Sequence, residues 1–84
     1  MITIDFTTKP KEIAPEYVVN AFGYKCTRDE KGKYHSYNDQ PAIIFHNGTK
    51  EWCQHGKTHR DNNLPAIVWP NGKEVYWENG KRIK

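Results

Sequence analysis

Short apolar runs alternate with polar ones along the whole chain. Ile2, Ile4 and Phe6 alternate with Thr3 and Asp5, a period of two that predicts an N-terminal strand with one apolar face. Thr7-Thr8-Lys9-Pro10 ends it. In the next segment Tyr17, Val18, Ala21 and Phe22 share one helical stripe. Pro15 and Glu16 suit a first helical turn and Gly23 suits the position just past a helix end, so residues 15–22 predict a short helix. The β-branched pair Val18-Val19 favours a strand instead. Tyr24–Arg28 reads as a strand, Asp29-Glu30-Lys31-Gly32 as a turn, and Lys33-Tyr34-His35 as the start of another strand.

From His35 the pattern is written twice. His35–Lys57 superposes on His59–Lys81 at a constant offset of 24 with no gap. Asn38 meets Asn62, Pro41-Ala42-Ile43 meets Pro65-Ala66-Ile67, Asn47-Gly48 meets Asn71-Gly72, and Gly56-Lys57 meets Gly80-Lys81. The intervening changes conserve size and polarity: Ile44/Val68, Phe45/Trp69, Trp52/Tyr76. A fixed period of this kind marks a repeat architecture. Each unit has a proline at a strand entrance, an outgoing strand (Ala42–Phe45, Ala66–Trp69), an Asn-Gly hairpin expected to place both residues at positive φ, and a return strand (Thr49–Gln54, Lys73–Glu78). A second turn (His55-Gly56, Asn79-Gly80) reverses the chain again. Gly32-Lys33 lies one period upstream of Gly56-Lys57, which adds a half-unit.

These elements predict an α+β fold in one domain, residues 1–84. Residues 1–23 form a strand and short helix, 24–34 a half repeat, 35–57 and 58–81 two full repeats of an antiparallel meander. Along the outgoing strands both faces carry apolar residues. The N-terminal elements can cover one. The other then needs a curled sheet, a partner chain or a ligand, because monomers seldom expose so large an apolar patch.

Composition sharpens that expectation. A chain of 84 residues buries only about 60–65% of its unfolded surface. Mean hydropathy is −0.97, yet eleven aromatic rings are available for a thin core or a sticky face. The net charge of +3 is spread among interspersed signs, as on a solvated surface. Two cysteines, Cys26 and Cys53, form no CxxC; with no signal-peptide pattern and no run of about 18 apolar residues, the expectation is a cytoplasmic protein with free thiols.

The residues offer four kinds of chemistry. Cys53, His55 and His59 lie close in sequence but lack zinc-ligand spacing, and His35 and His59 recur because the unit recurs, so no metal or cofactor is expected. Cys53 occupies the slot that Trp77 fills one unit later, which marks a packing position rather than a nucleophile, so no enzyme activity is expected. Lys33, Lys57 and Lys81 form a ladder with steps of about 10 Å, better suited to keeping a sheet margin soluble than to tracking phosphates. Trp52, Trp69, Tyr76 and Trp77, with Phe45, form a recurring ring set shared between core and interface.

His59-Arg60-Asp61-Asn62-Asn63-Leu64-Pro65-Ala66-Ile67-Val68, followed by Asn71-Gly72-Lys73-Glu74 and Asn79-Gly80-Lys81, resembles a MORN-like repeat of the sort carried by small proteins of bacteriophages and large DNA viruses. The first unit departs from it at Ser36-Tyr37 and Gln40, and the Tyr-x-Gly-x-Trp pattern of true MORN repeats is incomplete. The likeness covers residues 35–84 and is one of architecture. It implies stacked hairpins used as a scaffold or docking surface, and a viral accessory factor that inhibits or modulates a host protein in the host cytoplasm. The surface is expected at Trp52, Trp69, Tyr76, Trp77, His59 and Arg60. A protein partner comes first, with a homodimer as one form of it. Sequestration of a nucleotide-like ligand and single-stranded nucleic-acid binding are the alternatives.

Overall fold

The computed structural model describes residues 13–84; the strand expected at residues 2–6 lies outside them. The described residues form ten two-residue strands: β1 (Val18–Val19), β2 (Lys25–Cys26), β3 (Ile43–Ile44), β4 (Lys50–Glu51), β5 (Cys53–Gln54), β6 (Lys57–Thr58), β7 (Ile67–Val68), β8 (Glu74–Val75), β9 (Trp77–Glu78) and β10 (Lys81–Arg82). Six form one antiparallel sheet in the order β1-β2-β3-β4-β7-β8. β5 pairs with β6 and β9 with β10 as two separate hairpins. The expected return strands therefore break at Trp52 and Tyr76, where the chain leaves the sheet for the side hairpin.

The helix expected over residues 15–22 is not formed, and the described fold is all-β rather than α+β. Val18 and Val19 pair with Cys26 and Lys25 instead. The cause is local. The side-chain Oδ1 of Asn20 accepts the N–H groups of Phe22 and Tyr24, at 2.9 and 3.0 Å, which withdraws them from a helical ladder. Gly23 closes the turn at φ +82° with its N–H on the Asn20 carbonyl. The antiparallel meander itself is present.

This first hairpin repeats the two downstream. Gly48 donates to the Phe45 carbonyl and Gly72 to that of Trp69, while Phe45 and Trp69 donate to the Thr49 and Lys73 carbonyls. Asn47 and Asn71 cap these loops by accepting the N–H two residues on. Only the glycine of each Asn-Gly pair has positive φ, so the loop is a three-residue hairpin with a bulge. Paired left-handed residues occur instead at His55-Gly56 and Asn79-Gly80, and at two turns the pattern did not reveal, Asn38-Asp39 and Asn62-Asn63. β1 and β2 precede β3 and β4 by 25 residues, whereas β3 and β4 precede β7 and β8 by 24. The additional residue sits in the Asp29–Lys33 turn, bridged by Arg28 and Tyr34. It hides the first copy from any fixed-period comparison.

Directly opposed residues share a face. One face carries Cys26, Ile43, Glu51, Ile67 and Val75; the other carries Lys25, Ile44, Lys50, Val68 and Glu74. Lysine and glutamate neighbours thus make the second face a solvated one, although its outgoing residues are apolar. Among the described residues the buried apolar positions are Cys26, Ala42, Ile43, Trp52, Cys53, Ala66 and Val75; Cys26, Ala42, Ile43 and Cys53 form one cluster, with Tyr24, Tyr34 and Phe45 packed against it.

Candidate functional site: a ring-lined groove beside the hairpin turns

On the apolar face the hairpin turns hold aromatic residues in register. Tyr24 and Phe45 pack with ring centroids 4.7 Å apart, and Phe22 stacks on Tyr24 at 6.0 Å. His46 meets Tyr24 edge-on at 4.9 Å, and its Nε2 donates to the Phe22 carbonyl at 3.2 Å. Between these rings and Trp69 runs a groove of about 370 Å³, lined also by Thr49, Glu51 and Ile67. Trp69 is 43% exposed and Phe22 74%. Trp69 also borders a second hollow with Pro70, Asn71 and Lys73. Val18, opposite Cys26 on the same sheet face, is also exposed.

Glu51 is the acid of this groove. Its neighbours across the sheet are Ile43 and Ile67, and Cys26 and Val75 occupy its position in the flanking units. Oε1 accepts the Thr58 hydroxyl at 2.8 Å. Among the described residues no basic side chain forms an ion pair with it. Thr49 is buried, and its Oγ1 has no hydrogen-bond partner among the described residues.

The structure separates the residues singled out from the sequence. Trp69 alone lines the groove. Trp52 is 7% exposed, donates from Nε1 to the Asp39 carbonyl at 2.9 Å, and lies under the Arg60 guanidinium, whose Cζ is 3.9 Å from the ring centroid. Arg60 is engaged throughout: Nε and Nη2 reach both Asp39 carboxylate oxygens at 2.9 and 3.1 Å, and Nη1 donates to the Pro65 carbonyl. Tyr76 lies under Lys84, 5.2 Å away. Trp77 is half-buried, its Nε1 without a partner among the described residues. His59 Nδ1 accepts the Asn79 N–H at 3.0 Å and its Nε2 donates to Asp61 at 2.7 Å; His35 Nδ1 accepts the His55 N–H in the same way. These recurring histidines pin the second turn of each unit.

Other candidates also resolve into packing. Cys53 is buried, and desolvation, aided by the Glu51 charge, pushes its thiol up to about 12, so it stays protonated. Cys26 and Cys53 are free thiols. His55 pairs with Asp29 and His59 with Asp61, so Cys53, His55 and His59 do not converge. Lys33 stacks its stem over Gly56, where an added Cβ would sit 3.4 Å away, and Lys57 does the same over Gly80 at 3.8 Å. The lysine ladder is thus part of the stacking between units. Tyr24 and Glu51 were missed from sequence. Glu51 was findable, because the 24-residue offset sets an acid against Val75 on an apolar face.

Comparison with family models, characterised proteins and solved structures finds no match. Among the described residues no helix is long and apolar enough to cross a membrane.

Proposed function

We propose that this chain is a non-catalytic binding module whose ring-lined face docks on a protein partner. The observation that carries the reading is the groove of about 370 Å³ with Trp69 as its wall, beside exposed Phe22 and with Val18 exposed on the same sheet face. Exposed aromatic anchors beside a preformed hollow are what interface hot spots are made of. The acidic side chain in the groove separates this reading from its rivals. A nucleotide-like ligand or a single strand brings phosphates, which Glu51 repels, and the Arg60 expected to receive them is already held by Asp39, Pro65 and Trp52. The host-directed part of the proposal, a viral accessory factor acting in the host cytoplasm, rests on the MORN-like resemblance.

The test is capture from a lysate of the native cell after nuclease treatment, followed by mass measurement of the intact complex. The expected result is a defined protein, or a second copy of this chain, at fixed stoichiometry. It is retained by a Lys50→Ala variant on the opposite face and lost by Trp69→Ala. A co-purifying nucleotide or nucleic acid, or capture indifferent to Trp69, overturns the proposal.

A further inference from the structure

We infer that the groove receives a positively charged side chain, of lysine or arginine type, from that partner. The inference rests on the docking reading above and adds the chemistry of the occupant. Glu51 stands where the first unit has Cys26 and the last has Val75, both buried. An ordinary hairpin core at this position needs an apolar side chain, as its own copies show. The middle unit instead sets a carboxylate between Ile43 and Ile67, in a groove lined by Tyr24, Phe45 and Trp69. A carboxylate among apolar neighbours is costly unless paired. Thr58 supplies one hydrogen bond, and the described residues supply no cation.

Aromatic faces attract a cation within about 6 Å of the ring, more strongly when water is excluded, and a carboxylate at the same site adds direct charge complementarity. The stem of a lysine or arginine is apolar and matches Ile67 and the rings, while its head is delivered to Glu51. The chain already uses this pairing internally, in Arg60 over Trp52 and Lys84 over Tyr76. The groove offers the same elements, with no cation from the described residues at Glu51.

The probes are the N-acetyl methylamides of lysine, arginine and norleucine, titrated at millimolar concentration against the full chain. The readout is the Trp69 indole N–H and the backbone amides of Thr49 and Glu51 by NMR. The two cationic probes are expected to shift these signals with at least tenfold tighter binding than norleucine, and added salt weakens them. Glu51→Gln, and Glu51→Val, which installs the side chain the last unit carries at this position, remove the preference for charge. Equal binding of norleucine, or an unchanged preference in both variants, overturns the inference and leaves an apolar docking groove. Absence of any shift while capture still depends on Trp69 overturns it too, with the docking reading intact. Capture that ignores Trp69 removes the docking reading itself.

Discussion

Arg60 and Lys84 hold the same position in successive units, as do Trp52 and Tyr76, yet the two pairs are built differently. Arg60 lies 3.9 Å above the Trp52 ring and is clamped by both oxygens of Asp39 and by the Pro65 carbonyl. Lys84 lies 5.2 Å from Tyr76, and Asn63 takes the place of the Asp39 carboxylate. The middle unit has neighbours on both sides, with β4 hydrogen-bonded to β3 and β7. In the last unit β8 is the edge strand of that sheet. One hairpin plan therefore yields a tight latch between two sheet neighbours and a loose one beside the sheet edge. In repeat arrays, stability is a sum of unit and interface contributions, so the interior junction should carry more of it.

Removing the rings gives the largest contrast. Trp52→Ala should cost about 3–5 kcal/mol, enough to bring a protein of this size near unfolding, and Tyr76→Ala roughly half as much, read as urea midpoints. Equal losses would mean that the two junctions are equivalent. The turns should behave oppositely. Gly48 and Gly72 share left-handed φ values of +92° and +87°, and an added Cβ meets nothing within 4 Å at either, so alanine should cost about 1–2 kcal/mol at both sites. A large difference there would place the asymmetry in the turns rather than in the latch.

Arg60→Lys keeps the charge but loses the fork. With Asp39 largely exposed, a loss of about 1 kcal/mol is expected, while Lys84→Ala should stay within about 0.5 kcal/mol. A double-mutant cycle of Arg60 with Asp39 measures the coupling directly.

The last contrast is in pH. Asp29 accepts from His55 Nδ1 and from the N–H groups of Lys33 and Lys31, which lowers its carboxyl from 3.8 to about 2. A carboxyl depressed on folding stabilises above its unfolded value, and that contribution disappears as pH falls through the folded one. Urea midpoints should therefore decline between about pH 4 and pH 2, and Asp29→Asn should flatten that decline. Gln54, at the same position in the middle unit, has no proton to exchange.

The meander was legible because Pro-Ala-Ile, Asn-Gly and Gly-Lys recur at one spacing. The strand at Val18-Val19 was not. Tyr17, Val18, Ala21 and Phe22 also fit a helical stripe, and the decisive fact, the Asn20 side chain taking two nearby backbone N–H groups, is a local hydrogen-bond choice that no period reports. The additional residue in the Asp29–Lys33 turn shifted the first copy out of register. The site was half legible. Trp69 was marked by its repeat position, but Trp52 and Arg60 looked like ligand groups because their mutual saturation, and that of Arg60 by Asp39 across 21 residues, is invisible in the string.

Hydroxyl-radical footprinting of the chain alone and in its captured complex tests most directly where the partner sits. Protection is predicted at Phe22, Tyr24, Phe45 and Trp69, with Trp52 unchanged and the face bearing Lys25, Lys50 and Glu74 still reactive. Protection falling on that lysine-bearing face, with Trp69 left open, would contradict the account.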